Sequence, residues 1–333
     1  MNKSIRKFIS YTVFGIIVSI IACSTIPNND RKLVKIIIYP NTTASEVAIK
    51  LHGNGILAGT KTFLFWARIL GYDKKIKSGR YNFQPKSSLF TVLKTLSQGG
   101  TNKALVTIPE GYNIKDIAML LDSEGICSEK SFIKACSDKI LLRSLNIYNT
   151  NAEGYLFPDS YDFSISTNPA EIIEQMVKRF WQIYDEIAKT RNTKSLDTII
   201  TIASLVEKEA KLENERPIIA SVFYNRLKFK MPLQSCATVE YVLNNHKEQL
   251  SVEDTKIESP YNTYLHRGLP PTPICNPGRA SIIAAMNPVQ TKYLYFAVDN
   301  NGSHHFTQSF SEHQNFLRRK NRKATDEHRF YHW

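Results

Sequence analysis

Two glutamates near the end of residues 197–210 have side chains that could transfer a proton to or from a substrate. The segment has strong helical periodicity, with its apolar residues on one broad face. Glu207 and Glu209 are two residues apart, so on a helix they point in nearly opposite directions. We therefore expect that they do not form the close pair of carboxylates that many glycosidases use.

The helical wheel separates these two acids by their expected exposure. Glu209 falls within the apolar face, whereas Glu207 lies at its edge. Burial disfavours a charged carboxylate, so we expect the pKa of Glu209 to be raised and its side chain to be able to act as a general acid. The alternative is a structural role, in which Arg216 or Arg226 neutralises the buried acid.

The elements that must position these acids indicate an α+β fold. From residue 33, a strand, two helices and a second strand follow one another, an order that resembles a LysM-like β-α-α-β subdomain at residues 33–103. Any small β-α-α-β unit would show the same pattern, so this order alone does not predict glycan binding. The predicted elements are at residues 33–39, 43–51, 60–70 and 79–83, followed by a helix at residues 89–96.

A second domain is predicted from residue 104 to residue 333, after the Gly99-Gly100 pair. It begins with a strand, a turn and a helix, and a further helix begins at Pro169, since proline is favoured in a first turn. Its last third has loops rich in proline and glycine and one clear strand at residues 293–298. This mixture indicates an α+β catalytic domain.

The N-terminus has the length and composition of a membrane span. The 22 residues between Lys7 and Asp30 carry no charge, and as a helix they would extend about 33 Å, enough for a hydrocarbon core of roughly 30 Å. We predict a cytoplasmic tail at residues 1–7 and a single membrane anchor at residues 8–27, in contact with the lipid bilayer. The alternative is a cleaved signal peptide, because the residues that end in Cys23 resemble a lipoprotein processing site.

Charge and cysteine content argue against several classes of protein. The net charge of +13 suits an acidic partner, but the basic cluster at residues 318–323 belongs to no nucleic-acid-binding motif, and no nucleic-acid partner is predicted. Neither Cys-x-x-Cys nor His-Glu-x-x-His occurs, so we predict no metal site and no cofactor. A disulfide between Cys127 and Cys136 is one use of the remaining cysteines.

Eight short blocks follow one another along the chain. They are Glu-Gly-Tyr-Leu-Phe-Pro-Asp-Ser-Tyr (153–161), Ala-Ser-Leu-Val-Glu-Lys-Glu (203–209), Glu-Arg (215–216), Ala-Ser-Val-Phe-Tyr-Asn-Arg-Leu (220–227), Leu-Gln-Ser (233–235), Ser-Pro-Tyr-Asn-Thr-Tyr (259–264), Gly-Leu-Pro-Pro (268–271) and Tyr-Leu-Tyr-Phe (293–296). Each block alone is modest evidence, whereas the ordered set is specific. Over essentially the whole chain it resembles the endolytic murein transglycosylase (YceG-like) family.

The resemblance implies which residues act. The second glutamate of the Glu-Lys-Glu block is the catalytic residue of the family, which corresponds to Glu209 here, and Glu207 is a secondary candidate. Two other blocks imply further cleft residues. The alternative is a structural role, since tyrosines can also pack in the core and polar residues can also cap loops. The implied cleft residues are Gln234, Tyr261, Asn262, Thr263 and Tyr264.

The resemblance also implies the reaction. Glu209 would cleave the β-1,4 bond between N-acetylmuramic acid and N-acetylglucosamine within a strand, and the muramyl C6 hydroxyl would close a 1,6-anhydro ring without attack by water. Hydrolysis would instead require a second carboxylate, for which Glu207, Asp159 and Glu153 are the candidates.

Location and partners follow from the same resemblance. It implies a single-pass protein of the inner membrane with a periplasmic catalytic domain, which terminates new glycan strands beside peptidoglycan synthases. The alternative is a non-catalytic, membrane-tethered scaffold that binds peptidoglycan. The chain departs from the family at Cys236-Ala237, where Asp-Pro is usual, and at Thr272, where glycine is usual. If that aspartate helps to position substrate, its loss would weaken activity.

Overall fold

The computed structural model describes residues 32–188, 194–243, 250–299 and 302–330, with side chains as far as residue 320 in the last range. The predicted tail and anchor, residues 1–7 and 8–27, lie outside these residues. Within the described ranges, no helix is both long enough and apolar enough to cross a bilayer.

The fold is a mixture of α-helices and short strands, as predicted. The strands are β1 (Val34–Ile38), β2 (Gly79–Phe83), β3 (Lys103–Thr107), β4 (Ser160–Ser164), β5 (Tyr295–Val298) and β6 (His304–Thr307). The helices are α1 (Ala44–Gly53), α2 (Thr60–Ile69), α3 (Leu89–Gln98), α4 (Ile114–Ser123), α5 (Glu129–Ala135), α6 (Lys139–Ser144), α7 (Pro169–Ile187), α8 (Leu196–Glu209), α9 (Arg216–Lys228), α10 (Cys236–Leu243), α11 (Arg279–Met286) and α12 (Phe310–Phe330).

The chain divides into two compact units. Among the described residues, the first contains residues 32–105, 124–126 and 162–167, and the second contains the remainder. The sequence suggested a boundary after residue 103 but gave no sign that two later segments belong to the first unit.

In the first unit, β1 and β2 pair antiparallel, with Val34 opposite Phe83 and Ile38 opposite Gly79. Alternate side chains of β1 face the core, so Ile36 and Ile38 are buried. The two helices between the strands pack against each other, and the β-α-α-β order expected for residues 33–83 is present. Its resemblance to LysM remains a prediction.

Local sequence explains where the helices begin. The Thr43 side chain accepts a hydrogen bond from the Glu46 backbone N–H, and the Glu46 carboxylate accepts one from the Thr43 N–H, which forms a capping box at the start of α1. Helix α7 begins at Pro169, and the side chain of Asn168 accepts from the Ala170 N–H at 3.0 Å.

Helix α8 lies at the centre of the second unit. Every residue from Ile199 to Val206 is buried, and the helix packs against α9, α10 and α11. The chain leaves the helix at Ala210, which has an extended conformation. Packing on several sides therefore fixes where the last residue of the helix, Glu209, is presented.

The last third of the chain contains two strands where the sequence predicted one. Strands β5 and β6 pair antiparallel, with Tyr295 opposite Thr307 and Val298 opposite His304. The buried residues of β6 are His304 and Thr307, and neither is apolar. A strand with this composition has no alternation of apolar and polar residues to reveal it.

Candidate active site

A cleft of about 330 Å³ in the second unit lies between the end of α8 and the β5–β6 hairpin. Its wall combines aromatic rings, two histidines and an arginine. The lining residues are Glu209, Arg226, Leu233, Gln234, Cys236, Tyr264, Tyr295, Phe296, Ala297, Val298, His304, Phe310 and His313. Among the residues that the structure describes, Glu209 is the only carboxylate in this wall.

Glu209 occupies an environment that favours its protonated form. Burial raises its pKa above the usual value, and the negative charge of Glu240 acts in the same direction. The Ser235 hydroxyl, which donates to Oε1 at 2.5 Å, and the nearby His304 favour the carboxylate and offset part of this effect. The effect of burial is the largest, so Glu209 can hold a proton at a higher pH than an exposed glutamate.

Ser235 is itself held in place from two sides. Its backbone N–H donates to the Thr263 hydroxyl oxygen at 3.1 Å, and its carbonyl oxygen accepts from the Thr238 hydroxyl at 2.7 Å. The hydroxyls of Thr238 and Thr263 lie 3.0 Å apart. Thr263 therefore supports the residue that touches Glu209 and is not part of the cleft wall.

Glu207 has a different environment although it is only two residues away. Its Oε1 accepts from Arg216 at 3.1 Å, its Oε2 accepts from the Gly278 backbone N–H at 2.9 Å, and its side chain is 6% exposed. The neutralising arginine considered for Glu209 therefore pairs with Glu207. Within the described chain Glu209 has no ion pair, and Glu207 does not line the cleft.

Arg226 lines the cleft without binding either acid. Its guanidinium donates to the backbone carbonyl oxygens of Leu294, Pro232 and Leu233 and to Oε1 of Gln234. It also lies 5.0 Å from the centre of the Tyr295 ring. These bonds tie α9 to the loop before α10 and to the start of β5.

The structure brings two of the five predicted binding residues to the cleft. Gln234 is exposed there with a positive φ of 49°, and the Tyr264 hydroxyl lies 3.1 Å from the Cys236 sulfur. Asn262 is fully buried and donates to two backbone carbonyls of its own loop, as a loop-capping residue does. Tyr261 packs on the Tyr241 ring, with its hydroxyl 2.8 Å from that of Thr272.

The other acids proposed as a second carboxylate also lie outside this wall. Glu153 accepts from the Ile114 backbone N–H with both oxygens, and burial raises its pKa to about 8. Asp159 pairs with Arg179 at 2.7 Å. Cys127 and Cys136 are free thiols in the described chain, so the disulfide considered for this pair is not formed.

Ser235 and His304 are among the residues of the site that sequence reasoning missed. Ser235 stood in the Leu-Gln-Ser block, directly after Gln234, and that adjacency was a usable signal. His304 stands in no block. Its place in the cleft depends on the pairing of β5 with β6, which the sequence did not reveal.

Comparisons with known proteins identify the family that the chain resembles. A family model described as the YceG-like family matches residues 36–319. A Bacillus subtilis protein named endolytic murein transglycosylase is 34% identical over 321 residues, which cover 90% of this chain and 89% of that protein.

Two further comparisons extend the similarity. A Streptococcus pneumoniae protein with the same name is 32% identical over 305 residues; the match covers 81% of this chain but 55% of that protein, so the chain spans about half its length. A 2.6 Å crystal structure of a yceG-like protein from Listeria monocytogenes superimposes with a TM-score of 0.60 at 29% identity, covering 86% of this chain and 100% of that one.

Proposed function

The chain belongs to the YceG-like family, and we propose that it is a lytic transglycosylase that cuts peptidoglycan strands at internal bonds, with Glu209 as its catalytic residue. The proposal rests on the composition of the cleft wall. That wall contains one carboxylate among the described residues, and that carboxylate has a raised pKa. A reaction in which one carboxyl group acts first as the acid and then as the base needs no second carboxylate.

The proposed reaction has two steps. Protonated Glu209 gives its proton to the oxygen that joins N-acetylmuramic acid to N-acetylglucosamine, and the bond to C1 breaks as positive charge develops on the muramyl ring. The Glu209 carboxylate then takes the proton of the muramyl C6 hydroxyl, whose oxygen bonds to C1. The product has a 1,6-anhydro end, no water is consumed, and Glu209 regains its proton.

Ser235 supports the second step. The Ser235 hydroxyl already donates to Oε1 before Glu209 loses its proton, so the negative charge that forms on the carboxylate has a hydrogen-bond donor. Burial favours the protonated form before the first step, and the serine stabilises the carboxylate after it. This balance suits a group that acts first as an acid and then as a base.

The environments of the other acids disfavour hydrolysis by two carboxylates. Glu207 is bound to Arg216 and Gly278, Glu153 to Ile114, and Asp159 to Arg179. A hydrolase needs its second carboxylate beside the scissile bond, within roughly 5–10 Å of the first. None of these three lines the cleft.

The cellular setting is proposed on the sequence alone. Residues 8–27 would anchor the protein in the inner membrane as a single span, with the two described units on the periplasmic side. The β-α-α-β part of the first unit would hold glycan in the manner of a LysM domain. The enzyme would then end new strands close to the synthases that extend them.

Glu209→Gln tests the activity, because glutamine keeps the shape of the side chain but cannot give up a proton. The full-length protein should release anhydro-muropeptides from purified sacculi, as detected by mass spectrometry, and the variant should release about a thousandth as much or less. The matched control is Glu174→Gln, an exposed glutamate of α7 that lies outside the cleft and should retain full activity.

A non-catalytic scaffold is the competing function. It would bind sacculi but release nothing, and wild type and Glu209→Gln would then behave alike. Products with reducing ends in place of anhydro ends would instead indicate a hydrolase and would overturn the proposed mechanism.

A further inference from the structure

His304, which lines the same cleft, is paired with the buried Glu215, and neither residue transfers a proton in the mechanism above. Oε2 of Glu215 lies 2.6 Å from Nδ1 of His304, and Oε1 accepts from the His304 backbone N–H at 2.8 Å. Both side chains are buried, with 8% of Glu215 and 2% of His304 exposed. The glutamate therefore fixes both the backbone and the ring of the histidine.

This contact determines which ring nitrogen carries hydrogen. A carboxylate only accepts hydrogen bonds, so Nδ1 must be the donor in the bond to Glu215. The other nitrogen, Nε2, is then an acceptor in the neutral ring and a donor in the protonated ring. Glu215 thus orients His304 in the way that a carboxylate orients the histidine of a catalytic triad.

Nε2 of His304 is left for a ligand. The ring lies against Phe296, whose centroid is 5.4 Å away, and both residues line the cleft that contains Glu209. Within the described chain Nε2 makes no hydrogen bond. Only 2% of the His304 side chain is exposed, and the residue lines the cleft, so a ligand bound there would lie beside the ring.

We propose that His304, oriented by Glu215, binds a sugar hydroxyl of the glycan beside the bond that Glu209 cleaves. This inference rests on the proposed function and deepens it. A hydroxyl is the polar group of a glycan that both donates and accepts, so it satisfies Nε2 in either protonation state of the ring. His304 contacts the substrate, whereas Glu215 is a positioning residue that acts through His304.

Two substitutions of His304 separate a role in substrate binding from a role in holding Glu215. In His304→Asn the side-chain amide can occupy the position of Nδ1 and still donate to Glu215, but nothing replaces Nε2. In His304→Gln the longer amide reaches the position of Nε2 but cannot also make the bond of Nδ1. A binding role and a purely structural role therefore predict opposite orders of activity.

The assay uses the full-length protein with uncrosslinked glycan strands and measures kcat and KM, with melting temperatures to compare folding. We expect His304→Asn to lower kcat/KM by about ten-fold, the size of effect typical of one lost hydrogen bond, and His304→Gln to remain closer to wild type. Added imidazole should restore part of the activity of His304→Gly. An active His304→Asn with an impaired His304→Gln would overturn the proposal.

Binding in an inactive background separates this inference from the proposed function. In Glu209→Gln protein, addition of His304→Asn should weaken the affinity for glycan strands by about ten-fold. If Glu209→Gln retains activity, the proposed function fails. If Glu209→Gln is inactive but His304→Asn changes neither kcat/KM nor affinity, the role of His304 fails and the proposed function stands.

Discussion

The hydroxyl of Ser235 lies 2.5 Å from Oε1 of Glu209 and donates a hydrogen bond to it across 26 residues of sequence. This bond favours the charged form of a carboxyl group whose burial favours the neutral form. Burial and this hydrogen bond therefore shift the pKa of Glu209 in opposite directions, and the hydrogen bond can be removed by a single substitution.

Ser235→Ala should raise the pKa of Glu209 further, because the substitution removes a hydrogen bond that favours the charged carboxylate. The alkaline limb of the pH–activity profile should move upward by about one pH unit, and the maximal rate should fall because the carboxylate is less stabilised. Rates on glycan strands across a pH series would measure this. Ser144→Ala, which removes a local bond from an exposed serine to Leu141, should leave the profile unchanged. A shift of the limb to lower pH would contradict this account of Ser235.

Glu207→Gln and Glu209→Gln should have opposite effects, since only Glu207 has an ion pair. Loss of the contact with Arg216, whose side chain is 15% exposed, should lower the free energy of unfolding by about 3 kcal/mol while the folded enzyme keeps most of its activity. Glu209→Gln should abolish activity and leave stability unchanged or higher at neutral pH. Urea denaturation and activity per folded molecule would measure both. A stable but inactive Glu207→Gln would show that the roles had been assigned the wrong way round.

The stability of the protein should depend on the protonation of Glu153. Burial raises the pKa of Glu153 to about 8 in the folded state, above its unfolded value, so its contribution is complete at acidic pH and is lost as pH rises through 8. Between pH 6 and pH 9 the wild type should lose about 3 kcal/mol of unfolding free energy, and Glu153→Gln should lose much less. Denaturant unfolding at both pH values is the measurement, and equal losses in the two proteins would contradict the prediction.

Modification of Cys236 should block the cleft. Its thiol lines the cleft beside Tyr264, whereas Cys136 and Cys275 are buried. Burial raises the pKa of the Cys236 thiol, so alkylation should be slow at neutral pH and faster near pH 9. Alkylated protein should lose at least about nine-tenths of its activity, because the adduct occupies part of a cleft of about 330 Å³, and Cys236→Ser should resist. Full activity after complete alkylation at Cys236, shown by peptide mass spectrometry, would place the substrate elsewhere.

The elements that short-range patterns determine were predictable. The strand at residues 33–39, the helix at residues 43–51 and the helix that begins at Pro169 were each predicted from a few residues, and the structure confirms them as β1, α1 and α7. The short helices α5 and α6 and strand β4 were not identified. The first two have only seven and six residues, and β4 alternates polar Ser160, Asp162 and Ser164 with aromatic residues over a single short stretch.

Helix geometry alone predicted the candidate site only as far as Glu209, and the family resemblance added Gln234 and Tyr264, which also line the cleft. The helical wheel predicted that Glu207 and Glu209 point in different directions, as they do, but it did not predict their exposure, since both residues are half-buried and the Glu207 side chain is 6% exposed. Ser235 and His304 reach Glu209 through tertiary packing, which a local pattern does not encode. The block at residues 259–264 combines residues that line the cleft with residues that bind their own loop, and sequence adjacency could not separate them.

The division of the first unit between three stretches of chain affects how the protein can be made. Arg80 Nε donates to the Glu124 carbonyl at 3.0 Å, and the Ile165 N–H donates to the Asn102 carbonyl at 2.9 Å. A ribosome releases the chain from its N-terminus, so this unit, although first in sequence, cannot be completed until residue 167 has been synthesised. By then α4, α5 and α6 of the second unit have also emerged. A fragment that stops near residue 105 would therefore leave the first unit unfinished.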